Sequence, residues 1–355
     1  MVFFGLNGQG KTNALESIYA LANLCPLQGT RSADMINWDL EQTSLRAFVE
    51  TEGVVKTLDA RWGPGGRKTS LDDHMSRDLD DYFDALRAVA FAPYDDGIVT
   101  GEPKRRRRWI DRAAFAIAPS HLHLVKTFRK THQQAVALLK EDRPDRAVLD
   151  AYLERLCETS SMLSHQRSQA LLAVRSQAAN QYRQISGAAE TLELVYRCQA
   201  DGDTKEARKS SFMSLCKERR ADMLRRRRVL VGAHMDDVQI LLDGQEARRF
   251  GSRGQVRSTV LSLKLAELAA ASRGDDVPLF LLDDLSSELD SARTARLVVA
   301  LVALQAQVVL TTTDPVSLSL ALREQTVRWF HVEKGQVSEC SSENLKQSFD
   351  LYKSQ

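Results

Sequence analysis

The stretch that most constrains this chain is Gly5-Leu6-Asn7-Gly8-Gln9-Gly10-Lys11-Thr12, which spells G-x-x-x-x-G-K-T near its start. Val2, Phe3 and Phe4 before it read as the end of a buried strand. Ala14, Leu15, Ile18, Leu21 and Ala22 after it recur at helical spacing, so a helix is expected to open at the motif. Glycines let the backbone turn tightly, so that successive N–H groups converge on one point. The positive end of the helix adds to that field. Such a loop suits phosphate oxygens. Lys11 would then reach the β- and γ-phosphates, and the Thr12 hydroxyl would ligate Mg²⁺. The candidate cradle is Gly5, Leu6, Asn7, Gly8, Gln9, Gly10, Lys11, Thr12 and Asn13. A chance glycine-rich turn is the alternative reading, and the flanking apolar run and amphipathic helix argue against it.

A second group of candidates lies near the other end of the chain. Gly251-Ser252-Arg253-Gly254-Gln255 leads into a helix whose apolar face is Val260, Leu261, Leu263, Leu265 and Leu268. Ser252, Gly254 and Gln255 at that helix start form a candidate second phosphate surface. Further on, Leu279-Phe280-Leu281-Leu282 reads as a central strand that ends in Asp283-Asp284. Ligands of parallel α/β sheets bind at the carboxyl ends of strands. Asp283 is therefore the candidate Mg²⁺ partner and Asp284 the group that polarises a water. Asp284 is one methylene shorter than a glutamate would be, so slow hydrolysis is expected. Gln307 to Leu310 reads as the next strand. It ends in Thr311-Thr312-Thr313, with Thr313 the candidate γ-phosphate sensor.

Between these two groups the chain changes character. From Thr43 to Trp62 apolar and polar residues alternate around Glu52-Gly53, as in a β-hairpin. A helix is expected near Asp80 to Val89, then a short strand through Phe91. Lys104-Arg105-Arg106-Arg107-Arg108 are five consecutive cations beside Trp109. They read either as a nucleic-acid contact or as a solvated helix face. Residues 118 to 228 read as almost wholly helical, broken at Asp142-Arg143-Pro144-Asp145. Leu153, Leu156, Leu163, Ala170 and Val174 fit a heptad seam that Ser160 and Arg167 interrupt. Lys205 to Arg228 holds ten Lys and Arg against three acids, enough for a positive surface. Val238, Ile240 and Leu242 alternate up to an Asp243-Gly244 turn, with a return strand expected from Gln245 to Phe250. His234 is a lone histidine, so a structural role is expected for it. A last hairpin is expected around Lys334-Gly335.

Composition excludes some classes. The chain has 355 residues, 43% hydrophobic and 27% charged, with net charge +2, as in ordinary globular proteins. Its five cysteines are scattered and lack C-x-x-C spacing, which points to reduced thiols in the cytoplasm rather than a disulfide framework or zinc site. No apolar run approaches the ~18 residues of a membrane span, and no signal peptide is evident at the N-terminus.

Taken in order, Gly5–Thr12, Ser252-x-Gly254-Gln255, Leu281-Leu282-Asp283-Asp284 and Ser287-Glu288-Leu289-Asp290 resemble the ABC-type ATPase heads of SMC-like proteins. Phe91-Ala92-Pro93, Gly101-x-Pro103, Arg106-Arg107-Arg108-x-Ile110-Asp111 and Val231-Gly232-x-His234-x-Asp236-Asp237 narrow the likeness to the RecF family of bacterial recombination and gap-repair proteins. The resemblance covers nearly the whole chain. It implies an α/β fold: a P-loop NTPase sheet plus an antiparallel β-subdomain, with an inserted helical arm. The expected division is 1–117 and 229–355 for the head and 118–228 for the arm. The resemblance further implies ATP and Mg²⁺ as cofactors, and a homodimer formed on ATP binding. Ser252, Gly254 and Gln255 of one protomer would close over the nucleotide of the other. It implies DNA as a partner, at gaps or single-strand to double-strand junctions, RecR as a second partner, and RecA indirectly.

The chain departs from the family pattern in places. The family carries further strands ahead of the phosphate loop, so either the start codon is placed late or the sheet edge near the adenine is missing. Tyr94 stands where the family has an acid, which leaves Asp95 as the candidate nucleotide contact. Glu102, Trp109, Ala233 and Met235 also differ from the common choices and mark a divergent member. Two other classes stay open: a scaffold that has lost most nucleotide binding, and an ABC-type head serving another system, such as phage defence.

Overall fold

Val2, Phe3 and Phe4 form strand β1 (Val2–Phe4), buried at every position, as expected of a strand covered on both faces. The computed structural model describes residues 1–28, 32–51, 53–76, 79–274, 276–284, 291–323 and 325–340. The Ser287–Asp290 segment and Glu52 lie outside the described residues. The chain divides into two compact units. One comprises Met1–Asp95, Gln184–Gly187 and the chain from Ala271; the other comprises Asp96–Arg183 and Ala188–Ala270.

In the first unit β1 sits inside a six-stranded sheet. Its other strands are β6 (Ala88–Phe91), β10 (Leu279–Leu282), β11 (Val308–Thr312), β12 (Trp329–Glu333) and β13 (Gln336–Cys340), in the order β13-β12-β1-β11-β10-β6. Every pairing is parallel except β12 with β13. Helix α1 (Lys11–Asn23) packs Leu15 and Tyr19 against Phe3, Ala90, Leu281 and Val309 of the sheet. β12 and β13 turn at Lys334 and Gly335, both at positive φ, the geometry that suits a two-residue hairpin.

A separate antiparallel sheet runs β2 (Thr43–Thr51), β3 (Val54–Gly63), β4 (Gly66–Leu71), β5 (His74–Met75). The expected first hairpin is present, with Leu45 opposite Ala60 and Ala47 opposite Leu58. The β4–β5 turn uses Asp72 and Asp73 at φ 50° and 61°. Aspartate tolerates this left-handed region, but Asp-Asp carries no hairpin signal. The helix expected from Asp80 to Val89 is shorter, α2 (Asp80–Ala85), because Ala88 already joins β6.

The second unit holds the long helices. They are α3 (Gly97–Thr100), α4 (Pro103–Ile117), α5 (His121–Lys140), α6 (Arg146–Ser186) through Arg183, and α7 (Lys205–Arg226). The seam residues Leu153, Leu156, Leu163, Ala170 and Val174 are all buried. One expectation is refined. Residues 118 to 228 are mostly helical but include a strand, β7 (Leu192–Arg197), which pairs antiparallel with β8 (Asp237–Leu242). Leu192 and Leu194 face inward while Glu193 faces out, an alternation too short to outweigh the helices around it. The return strand is also shorter than expected. β9 covers only Gln245–Glu246, and Ala247–Phe250 forms a helix, α8. α9 (Arg253–Ala271) follows.

The interruptions of the seam have a physical basis. Arg167 is 4% exposed. It donates to both carboxylate oxygens of Asp111 at 2.8 and 2.9 Å, to the Ala233 carbonyl at 2.6 Å and to Asp236 at 3.3 Å. Ser164 and Tyr196 each donate to Asp236 at 2.6 Å, and His121 lies 3.0 Å from Asp111. Burial pushes the Asp111 carboxyl up, but the Arg167 guanidinium and the His121 hydrogen bond outweigh it and hold it well below the usual range. Buried charges of this kind survive only when paired. Cys157 and Cys216 are free thiols brought within 3.3 Å of each other.

Candidate functional site

β1 delivers the glycine-rich Gly5–Thr12 loop at its carboxyl end. Gly10, at φ 102°, is the N-cap of α1 and has no side chain to cap it. The first N–H groups of α1 thus stand at a helix start with no side-chain cap. Gly5 is required for another reason: a Cβ there would lie 2.3 Å from the Val332 carbonyl of β12. Leu6, Asn7 and Gly8 are exposed at the loop tip, and Asn13 is exposed on the first turn of α1. Lys11 is buried, and its ammonium donates to the carbonyls of Gly5 and Leu6, both at 2.9 Å. Burial lowers its pKa, and Asp284 and Asp283 work against that.

Thr12 donates to Asp283 Oδ1 at 3.0 Å, joining the helix start to the end of β10. Asp283 is 3% exposed. Burial raises its pKa, and hydrogen bonds from Thr311 and Thr12 oppose the rise. Burial thus shifts Lys11 and Asp283 each toward its neutral form, which a phosphate beside the first and a cation beside the second would reverse. The donor set fits Mg²⁺: a hydroxyl and a carboxylate, both hard oxygens, at the edge of an anion cradle.

The remaining expected residues fall as follows. Asp284 lies two residues past β10 at φ 50°, and its N–H donates to Thr311 Oγ1 at 2.8 Å. Asp95 is buried, and its carboxylate accepts the Ala92 N–H at 3.1 Å within its own turn. The Tyr94 hydroxyl donates to the Leu27 carbonyl at 2.6 Å. Thr313 is half-buried just past β11, and it is Thr311 that touches Asp283, at 2.8 Å. Gln9 accepts from the Lys334 N–H through its side chain at 2.8 Å and from the Gly335 N–H through its carbonyl at 2.9 Å. The turn between β12 and β13 therefore braces the phosphate loop. Sequence reasoning missed Thr311 and this brace. For Thr311 the only signal was its place two residues before Thr313, and for the brace there was none.

In the second unit Ser252 and Gln255 form a reciprocal cap at the start of α9. The Gln255 N–H donates to Ser252 Oγ at 3.3 Å, and the Ser252 N–H donates to Gln255 Oε1 at 2.7 Å. This is the capping box that Ser-x-x-Gln spells. Gly254 lies between them in the first turn. The Gln255 amide also donates to Glu190 at 2.7 Å. The basic run on α4 is split. Arg106 is 5% exposed and donates to both oxygens of Asp237 at 2.7 and 2.9 Å, and Arg107 donates to the Asp236 carbonyl at 2.6 Å. Lys104, Arg105 and Arg108 are exposed. His234 lies against His132, ring centroids 4.4 Å apart, and 3.3 Å from the Val229 carbonyl. Among the described residues no helix is long and apolar enough to cross a membrane.

A mainly parallel sheet with the glycine-rich loop on one strand and an acid after another, together with an antiparallel sheet and long helices, is the fold of the SMC-type ABC-ATPase heads. The solved structure of the SmcHead bound to the C-winged helix domain of ScpA matches with a TM-score of 0.54 at 13% identity, over 98% of this chain and 91% of that one. The recombination mediator protein RecF-ATPrS in the RecFOR pathway matches with a TM-score of 0.85 at 24% identity, over 96% of this chain and 91% of that one. The DNA replication and repair protein RecF of Geotalea daltonii is 34% identical over 343 residues, 95% of this chain and 92% of its own. RecF of Geobacter metallireducens is 36% identical over 340 residues, with the same coverage. The chain belongs to the RecF family of DNA replication and repair proteins. No family model matches it.

Proposed function

We propose that this protein binds ATP with Mg²⁺ and uses it to close a homodimer on gapped or junction DNA, with slow hydrolysis reopening the dimer. The observation that carries the reading is the Thr12–Asp283 hydrogen bond of 3.0 Å. It joins a phosphate loop to an acid at the carboxyl edge of a parallel sheet, where ligands of such sheets bind. The relatives support the ligand and the pathway: they include RecF-ATP and RecF-ATPrS structures of the RecFOR pathway and curated DNA replication and repair proteins.

In this reading Lys11 leaves the Gly5 and Leu6 carbonyls to neutralise the β- and γ-phosphates. Gly5 to Asn13 supply backbone donors. Thr12 and Asp283 would hold Mg²⁺, which when bound neutralises phosphate charge. Asp284 orients the attacking water, and Thr313 and Asp95 stand at the γ-phosphate side. Ser252, Gly254 and Gln255 act on the partner protomer's nucleotide. Positioning and charge neutralisation supply most of such catalysis. Residues 1–117 and 229–355 serve as the head and residues 118–228 as an arm. RecR is the direct protein partner, with RecA reached indirectly, in a reduced cytoplasmic setting.

The test is light scattering with saturating Mg²⁺ and ATP. Wild-type protein is expected to double in mass, and Lys11→Ala to stay single. A variant that dimerises like wild type would overturn the gating model.

A further inference from the structure

We propose that Thr311 is the positioning residue for the two acids. Its hydroxyl fixes the direction of the Asp283 carboxylate and holds Asp284 in its left-handed backbone conformation. The inference rests on the ATP-site reading of Asp283 and Asp284 given above.

β11 lies between the strand that carries the phosphate loop and the strand that carries the acids, and it pairs with both. Leu282 is opposite Leu310, so the next step of that ladder brings Asp283 beside Thr311, while Phe3 of β1 is opposite Thr311 on the other side. Thr311 is fully buried, at 0% exposure. A buried hydroxyl has one proton to give and two lone pairs to offer. The Thr311 hydroxyl donates to Asp283 Oδ1 at 2.8 Å and accepts the Asp284 N–H at 2.8 Å. The two bonds are compatible and together fix the hydroxyl.

Both bonds act on reactive groups. Asp283 Oδ1 accepts hydrogen bonds from Thr311 and from Thr12, at 2.8 and 3.0 Å. The carboxylate is thereby held from two neighbouring elements. Asp284 has φ 50°, in the left-handed region that aspartate tolerates better than most residues but still adopts uncommonly. The hydrogen bond from its N–H to Thr311 keeps it there. Backbone strain held by a neighbouring strand is one way a site presets the aim of a side chain. The next two threonines are placed differently. Thr312 accepts the Asp314 N–H at 3.0 Å, and Thr313 lies beyond the strand.

Thr311→Val removes the hydroxyl at nearly constant shape, and Thr311→Ser keeps it. With a fluorescent ATP analogue, Thr311→Val is expected to bind within about twofold of wild type when Mg²⁺ is absent, because the phosphate loop is intact. It is expected to lose about tenfold or more in turnover and in the affinity gained on adding Mg²⁺, the scale of one hydrogen bond to a charged group. Thr311→Ser should restore both. Wild-type turnover and Mg²⁺ gain in Thr311→Val would overturn the inference, as would an equal loss in Thr311→Ser. Should Thr311→Val fail to fold, Thr311→Ala serves the same comparison. A wild-type protein that binds no analogue would refute the ATP reading instead. Crystal structures then decide this inference alone: Asp284 is expected to leave the left-handed region in Thr311→Val, and an unchanged Asp283–Asp284 turn would sink it.

Discussion

Glu190 accepts a hydrogen bond from the Gln255 amide at 2.7 Å, and its other oxygen accepts from the Tyr182 hydroxyl at 2.7 Å. A carboxylate is thus fastened to the start of α9, beside the residues proposed to meet a partner's triphosphate. A carboxylate there would repel that triphosphate. Glu190→Gln keeps the shape and removes the charge, so it should lower the ATP concentration that gives half-maximal dimerisation in light scattering. An unchanged or higher midpoint would show that the charge plays no part in closure.

Arg167 holds Asp111 and Asp236 in the core of the helical unit. Replacing it with methionine keeps much of the volume but strands two buried carboxylates. Removing one partner of a buried pair typically costs about 3–5 kcal/mol. Urea unfolding of Arg167→Met should show a loss on that scale. A loss below about 1 kcal/mol, the scale of an exposed pair, would mean the network is solvated.

His234 should make the protein sensitive to mild acid. Burial, and then the neighbouring His132, pushes its pKa down to about 4 from 6.5. The unfolded chain therefore takes up a proton between these values that the folded protein refuses. The stability contribution is complete above pH 6.5 and falls as pH drops toward 4, by up to about 1.4 kcal/mol per pH unit for one group. Denaturation midpoints at pH 7.5 and 5 should converge in His234→Gln relative to wild type. An identical pH slope in both proteins would remove His234 as the cause.

Arg106 and the run Arg225 to Arg228 should separate in a salt titration of DNA affinity. Arg106 is buried against Asp237, whereas Arg226 and Arg228 are exposed. Arg106→Ala should lower the melting temperature and leave the salt slope alone. Alanine at Arg226 and Arg228 should reduce the slope of log affinity against log salt by about 0.9 for each phosphate no longer neutralised. The reverse pattern would place the DNA contact on α4.

Several parts of this protein were legible in the order of its residues because their causes are local. Gly10 at φ 102° opens α1 directly at Lys11. Asp243-Gly244 and Lys334-Gly335 make the hairpin turns read from their dipeptides. The Leu153 to Val174 seam is buried as its spacing required. Short signals were overridden by their surroundings. β7 was hidden among long helices, and the Gln245 return strand stops after two residues. The five-cation run looked uniform, yet a helix turns Arg106 inward and leaves Lys104 and Arg108 outside. Arg167 was visible only as a fault in a heptad. Its partners Asp111 and Asp236 carry no local mark of that role.

Residue order alone determined that a phosphate-loop strand and helix stand at the start, that acids end a buried strand far downstream, and that long helices lie between them. Those features come from backbone torsions and side-chain periodicity within a few residues. Only the tertiary structure decided which hydroxyls meet the acid. Thr12 and Asp283 are 271 positions apart and touch because β11 separates their strands by a single place in the sheet. That same intervening strand made Thr311, rather than Thr313, the neighbour of Asp283. Strand order and register arise from how the buried faces pack as a whole, a sum over distant contacts that no short window of residues contains.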